Sequence, residues 1–391
     1  MKSHIYIASL LLASLSTAAF AEETTDESPK FSVTPTGRIL IDGALFSSPQ
    51  KEMFKDGVAI PDARIGAKFQ YGKWKAKVDL GFAYNKVGIK DLFIEYDFNE
   101  KNLIRVGSFI HQYGLQSATS SSMKPTMEEP VSNSIFNDPR QLGVMYVHSD
   151  DKFFATASAH VEPSATTYIL TPDQFSQEGV GARTRLVARP ICEEGKVVQL
   201  GISAGFATPQ RHGNPDTHDA FTLKANFPTR VVQQTALEAT VTKANNIWKF
   251  TPELLLNYGP VALESQYYWV RVNRKEDLYH FTGQGAYATV RGLILGGNYQ
   301  YSPMDAGLAT PRPHSLEAVA SYNYTDVTCA KAGIFGGRMN DLSLTFNYYI
   351  NKYIICRLHY SYTHTWGRKA DGVDVPSVSL NGFMARLQVI F

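Results

Sequence analysis

Beyond Ala21 the sequence has no apolar run of the roughly 20 residues that a membrane-crossing helix needs. Mean hydropathy is −0.20, so by that average alone the chain would pass for a water-soluble protein. Cysteine is scarce as well: Cys192, Cys329 and Cys356 are an odd set without close spacing, which argues against a disulfide framework or a metal cluster. An excess of one charge is also missing. Lys plus Arg number 38 against 36 Asp plus Glu, a net +2, so the basic surplus of a nucleic-acid-binding protein is absent. No Walker loop, H-E-x-x-H or C-x-x-C occurs, and neither a metal nor a cofactor is expected.

What is present starts at the N-terminus. Lys2, the short apolar run Ile5 to Leu15 and Ala19-Phe20-Ala21 make a secretory signal peptide over 1–21, with the mature chain starting near Glu22. Residues 22–36 are polar and acidic and are expected to be a periplasmic lead-in. From Gly37 to Phe391 nearly every segment alternates with period two. Trp74, Ala76, Val78, Leu80 and Phe82 point one way, and Lys75, Lys77, Asp79 and Gly81 point the other. In Ala63 to Tyr71, likewise, Ile65 and Phe69 oppose Arg64 and Lys68. About 16 such segments can be counted, many near the length that a tilted strand needs to cross a bilayer. In a strand of this kind apolar and polar residues cancel in any hydropathy window, which explains the unremarkable average.

The connections are unequal. Tight turns at Gly72-Lys73, Asn99-Glu100, Ser149-Asp150, Gly259-Pro260 and Asn351-Lys352 alternate with long polar excursions at 110–139, 162–179, 208–248 and 325–337. Short turns on one side and long loops on the other are the habit of a transmembrane barrel. One stretch, 296–313, is long yet falls on the short-turn side by strand parity, and is expected to fold toward the lumen. The chain is 12% aromatic, with 21 Tyr and 22 Phe, which suits interfacial girdles. Its last strand alternates Phe383, Ala385, Leu387, Val389 and Phe391, and a terminal Phe resembles the signal by which outer-membrane barrels are assembled. The expected fold is therefore all-β, a transmembrane antiparallel β-barrel over 37–391 with inward-folded loops.

Energetics assigns the faces. A Lys or Arg facing lipid at mid-membrane costs about 2–4 kcal/mol, so the charged rows must face water inside. That places Arg38, Arg64, Lys68, Lys75, Lys77, Arg105, Arg183 and Arg185 in the lumen, with Asp42, Glu95, Glu264, Arg357 and Arg386 beside them. Basic residues outnumber acidic ones on this wall, and rings of Arg and Lys favour anions. The alternative is that the charges pair across the lumen and merely hydrate it.

Several stretches resemble the phosphate-selective porin O and P family. Gly37-Arg38-Ile39-Leu40-Ile41-Asp42 looks like its first strand. Arg105-Val106-Gly107-Ser108-Phe109, Tyr113-Gly114-Leu115 and Ala118-Thr119-Ser120-Ser121 are similar to the approach to its constriction loop. His314-Ser315-Leu316-Glu317 with Tyr322, Gly336-Gly337-Arg338, Asn347-Tyr348-Tyr349 and Asn351 follow its C-terminal pattern. The resemblance implies a trimer of 16-stranded barrels, with 110–139 as the constriction loop and 208–248 as a second inward loop. It also implies an arginine ladder in the second loop and a lysine after the Thr-Ser-Ser of the first. The chain departs at both, with Thr222, Lys224 and Asn226 at the ladder and Ser122 after Ser121, the nearest lysine being Lys124. Phosphate specificity therefore does not follow, and Lys124 and Lys224 stand as candidate anion contacts.

Competing motifs are weak. Gly201-Ile202-Ser203-Ala204-Gly205 matches G-x-S-x-G but lies inside an alternating segment with no helix after it, so the strained turn that exposes a nucleophile is missing. Glu128-Glu129 point apart, and His212 and His218 sit in a polar loop without ligand spacing. The sequence thus predicts a non-enzymatic porin in the outer membrane of a Gram-negative bacterium, a passive and anion-preferring channel. Its expected partners are outer-membrane lipids and lipopolysaccharide, small anionic solutes and two further copies of itself, with no nucleic acid. A structural or adhesive barrel plugged by its own loops and an outer-membrane hydrolase are the alternatives.

Overall fold

A computed structural model describes residues 29–84, 86–119, 123–162, 178–211 and 218–391. The signal peptide expected at 1–21, most of the lead-in, Ser120, Ser121, Ser122 and His212 lie outside them. The strands are β1 Phe31–Ser47, β2 Gly57–Tyr71, β3 Trp74–Gly81, β4 Gly88–Asn99, β5 Asn102–Phe109, β6 Gln141–Ser149 and β7 Phe153–Val161. After them come β8 Val180–Glu193, β9 Lys196–Ala207, β10 Phe221–Asn226, β11 Thr235–Val241, β12 Ala244–Tyr258, β13 Val261–Arg274 and β14 Phe281–Leu295. The chain ends with β15 Tyr301–Ser302, β16 Gly307–Leu308, β17 Ser315–Cys329, β18 Ile334–Tyr349, β19 Ile354–Ala370, β20 Val373–Asp374 and β21 Val378–Ile390. Two short helices, α1 Gly114–Ala118 and α2 Val131–Phe136, lie between β5 and β6.

The wall is a closed antiparallel barrel of 16 strands, with β10–β11 and β15–β16 as separate hairpins and β20 an extension on β19. Each wall strand pairs with its neighbours in the chain, and β21 returns to β1, from Arg38 opposite Ile390 to Ser47 opposite Asn381. Closure leaves no sheet edge, as a span through hydrocarbon requires, because lipid offers no partner to a bare N–H or C=O. The wall is uneven: β3 and β5 have 8 residues and β6 and β7 have 9, whereas β17, β18 and β19 have 15, 16 and 17.

Alternation holds around the ring. Ile39, Trp74, Ile94, Leu200, Leu344 and Leu387 are exposed on the outside, while Arg38, Glu95, Gln199, Thr345 and Arg386 are buried on the inside. At the short-turn end Trp74, Tyr96 and Phe98 pack in sequence, tilted and then edge-to-face, with ring centroids 4.7 and 5.2 Å apart, as part of an aromatic girdle.

Three details differ from the sequence reading. Strand β1 begins at Phe31, opposite Tyr71, so the end of the lead-in belongs to the sheet. The expected excursion at 325–337 is instead the top of a tall hairpin. There β17 runs on to Cys329 and β18 resumes at Ile334, across a single 3-10 turn at Ala330–Ala332. Its polar residues reflect a wall that rises above the hydrocarbon, not a loss of strand. Within 208–248 the hairpin β10–β11 carries its own alternation, with Leu223, Ala225, Leu237, Ala239 and Val241 buried. The stretch 296–313 does fold inward, through β15–β16.

The terminal residue locks the seam. Phe391 and Gly37 exchange backbone hydrogen bonds at 2.8 and 3.0 Å, and the Phe391 ring lies where a side chain at position 37 would stand. Gly37→Leu should therefore displace the ring and destabilise the barrel by about 1–3 kcal/mol, with partial recovery in Gly37→Leu/Phe391→Ala. Urea unfolding in liposomes, followed by tryptophan fluorescence, measures both. An unchanged midpoint in the single variant would remove the seam contact from the argument.

Candidate functional site

The barrel interior is the site, and three insertions shape it. From the long-loop end, residues 110–119 and 123–140 descend into the lumen carrying α1 and α2. Tyr113, Leu115, Val131, Ile135 and Phe136 are buried against the inner face. The loop is sewn to the wall by polar contacts. Gly114 N donates to Ser203 Oγ at 2.9 Å, Gln116 N to Gln266 Oε1 at 2.9 Å and Ser132 N to Asn323 Oδ1 at 3.0 Å. Ser203 is thus a buried acceptor inside β9, far from the exposed turn a nucleophile needs.

The hairpin β10–β11 covers α2 and lies along β17 to β19. Lys224 of β10 bonds Glu238 of β11 at 3.1 Å and is exposed, so it stands on the hairpin and not on the wall. From the other end, the β14–β17 connection enters the lumen. Arg185 donates to the carbonyls of Asp305 and Ala306 at 2.8 and 2.9 Å and forms a two-point pair with Glu253 at 2.7 and 3.0 Å. Tyr299 OH and Arg291 Nε both donate to Glu317 Oε1 at 2.7 Å.

One carboxylate joins the constriction loop, the hairpin and the seam. Glu128 accepts from Arg386 Nη2 at 2.5 Å and from Arg230 Nε, in the turn of the hairpin, at 2.8 Å. Arg386 of β21 also grips Asp42 of β1 through two bonds of 2.6 Å. Burial opposes the charge on Glu128, but Arg230 and Arg386 together hold its carboxyl below the usual range. Glu129 is opposed by burial in the same way and held down by Lys124, which donates to it at 2.9 Å and to the Gln116 carbonyl at 2.6 Å. A cavity of about 560 Å³, bordered by Glu128, Lys224, Asn226, Arg230 and Gln233, opens between the loop and the hairpin.

The insertions crowd one half of the lumen, covering the inner face of β1, and leave the wall of β2–β5 more open. Lys75 keeps 41% of its side-chain surface, Arg105 28%, Arg140 24% and Lys77 22%, against 3% for Arg183, Arg291 and Arg386 and none for Arg185. At the edge of this wall the buried Arg38 of β1 and Arg64 of β2 share Asp62. Lys77 bonds Asp79 at 2.8 Å and Asp91 at 2.7 Å, and Arg140 bonds Asp91 at 2.6 Å. Lys75 reaches Asp97 at 2.5 Å, and Arg105 forms two bonds to Glu95 while lying 4.3 Å over the Phe93 ring. Lys68 is exposed, directly across from Lys77.

The ten residues singled out by sequence therefore fall into three groups. Arg64, Lys68, Lys75, Lys77 and Arg105 share the open wall, with Arg38 buried at its edge on β1. Arg183, Arg185 and Lys124 are consumed in anchoring the insertions, with Arg183 held by Asp138 and by Gln141 Oε1 at 2.6 Å. Lys224 sits on the hairpin. Sequence reasoning missed Lys90, whose stem lies over Gly81 and which has no ion pair among the described residues. A register shift between β3 and β4 turns both Lys90 and Asp91 inward, and strict alternation admits one of them. Arg140 and Arg230 were missed because they come from connections, where period two has no meaning. Among the described residues no group of His, Cys, Asp and Glu could hold a metal ion.

The architecture has solved relatives. OmpT of Vibrio cholerae, folded in vitro and in its trimer form, is similar with a TM-score of 0.57 at 12% identity, over 92% of this chain and 99% of that one. Outer-membrane expressed OmpT of Vibrio cholerae gives a TM-score of 0.57 at 13% identity, over 95% and 100%. Identities this low speak for the fold alone. No curated protein sequence matches the chain. The family model described as phosphate-selective porin O and P matches residues 36–391, nearly the entire barrel, and the chain therefore belongs to that family as an outer-membrane porin of a Gram-negative bacterium.

Proposed function

We propose that this porin is a passive, non-enzymatic and anion-preferring pore that works as a homotrimer. The observation that carries the anion preference is the half-open lane along β2–β5. There Arg64, Lys68, Lys75, Lys77, Lys90 and Arg105, with Arg140 beside them, outnumber Asp62, Asp79, Asp91, Glu95 and Asp97. Paired charges cancel much of each other's field, so the surplus cations, Lys68 and Lys90 first among them, set the sign of the preference. The preference is moderate, and phosphate specificity is not part of it. The solutes are small hydrated anions, because the insertions leave a lane and not a wide bore. In a KCl gradient across a planar bilayer the reversal potential should indicate chloride over potassium. Lys77→Glu/Lys90→Glu should lower the chloride-to-potassium permeability ratio several-fold. A cation-preferring wild type would remove the anion reading, and the absence of any ohmic current would favour the loop-plugged structural barrel, which the crowded half of the lumen suggests.

The outside supports self-association. On the long-loop side, outward Trp248, Trp269, Tyr324, Tyr362 and Trp366 girdle β12–β19, while among the described residues β1–β8 show no outward Tyr or Trp at that level. Aromatic girdles mark contact with lipid headgroups, so at the long-loop level the girdled side meets lipid and lipopolysaccharide, and the low side meets another copy. Chemical cross-linking of protein in detergent should give a trimer as its largest product. Replacing Ile94 and Val106 on the low side by Arg should shift that product to monomer, whereas the same change at Leu344 and Leu358 on the tall side should leave any assembled barrels trimeric. Monomer alone in the unaltered protein would end the homotrimer reading.

A further inference from the structure

Both feet of the constriction loop stand on one charged cluster. His111 opens the loop, while Asp138 and Gln141 stand at its close. The His111 ring stacks on Phe109 at 4.3 Å and lies 5.0 Å from the ring of His160 on β7, and both histidines are buried. Nε2 of His111 is 3.2 Å from the Gln141 carbonyl, so that nitrogen carries the proton and donates it. Nδ1 of His111 and both ring nitrogens of His160 have no partner. Glycines make the room: a Cβ at Gly143 would stand 2.8 Å from His111 Cε1, and one at Gly181 would meet the His160 ring.

The surroundings are cationic. Arg183 of β8 reaches the His111 carbonyl at 3.5 Å as well as Asp138 and Gln141, and Lys249 of β12 donates to Asp138 at 2.8 Å and to the Phe136 carbonyl at 3.0 Å. Arg105 of β5 adds a further positive charge near His111. Asp138, already shared by Arg183 and Lys249, is the carboxylate bonded into this cluster, with Glu162 at the rim of the adjoining cavity. A cavity of about 350 Å³ bordered by Asp138, Gln141, His160, Glu162, Thr208 and Thr222 leads to the cluster and supplies a path for protons.

We propose that the His111–His160 pair is an acid-sensitive latch, and that protonating it releases the constriction loop from the β7–β8 wall. A further positive charge here meets a carboxylate, Asp138, that already serves Arg183 and Lys249, and lies close to those two cations, whereas the same imidazolium on a released loop is hydrated. The docked loop therefore binds fewer protons than the released one, and acid favours release. Burial, and after it Arg183, lowers His111 to about 4 from the ordinary 6.5. Docking is then at full strength above 6.5 and weakens as pH falls from 6.5 toward 4, by up to about tenfold per pH unit for each such imidazole.

The loop's carboxylates act in a different window. Asp138, Glu128 and Glu129 are all penalised by burial but held below the usual range by Lys249 and Arg183, by Arg230 and Arg386, and by Lys124. Their contribution is fully present above the ordinary carboxylate pKa of about 4 and is lost only below it. Release between pH 6.5 and 4.5 is therefore the histidines' signature. His359 on β19, bonded to Thr345 at 2.8 Å, is a buried control on the opposite wall.

Hydrogen–deuterium exchange of the intact porin in detergent, corrected for intrinsic rate, reads the loop directly and does not depend on whether the barrel conducts. Peptides covering 110–140 should exchange about tenfold or more faster at pH 4.5 than at pH 7, with β17–β19 unchanged. His111→Gln/His160→Gln should keep the loop protected at pH 4.5, His359→Gln should behave as the parent, and Asp138→Asn should move release to higher pH. Equal protection of 110–140 at both pH values in the unaltered protein would overturn the latch, as would a histidine double variant that loses protection just as the parent does. Should the double variant fail to assemble, the pH series of the unaltered protein still decides between these outcomes.

Discussion

Hydrocarbon accepts neither a bare peptide group nor a charge, and each feature of this molecule follows from that refusal. Every wall N–H and C=O must be paired within the protein, so the sheet has to close, and the Arg38–Ile390 to Ser47–Asn381 register closes it. Every Lys and Arg at membrane depth must turn inward, so period two is enforced strand by strand. The interior is polar because the exterior cannot be.

An interior filled with charge has its own demand, which is partners. The porin meets it in two ways. Where loops and the β14–β17 connection fill the lumen, arginines are spent as anchors: Arg185 on Glu253 and two carbonyls, Arg291 on Glu317, Arg386 on Asp42 and Glu128. Breaking such pairs is costly because the survivor is left buried and charged. Along β2–β5 Lys75, Lys77 and Arg105 share carboxylates and keep part of their surface exposed. The loops thus decide which wall cations are buried as anchors and which stay exposed.

Much of this was legible in the residues. The Trp74–Phe82 and Ala63–Tyr71 patterns gave the faces, the turn and loop asymmetry gave the orientation, and the inward fold of 296–313 followed from counting strands. The tall hairpin at 325–337 was misread because polar residues above the membrane look the same in a strand as in a loop. Lys90 escaped because a register shift breaks alternation at one point. Arg183, Arg185 and Arg105 looked equivalent as inward basic residues, yet only Arg105 keeps a substantial share of its surface.

By itself the sequence determined the class of solvent each residue meets, since period two and the cost of a charge in lipid are local rules that need no partner. It thereby determined a closed β-wall with a wet, charged lumen. Only the tertiary structure decided how that charge is used. Pairing depends on which side chains from distant segments arrive at one place: Glu128 at Arg386 and Arg230, or Asp138 at Arg183 and Lys249. No local pattern encodes such a meeting, because it is set by how the inward segments pack against a wall built from the whole chain.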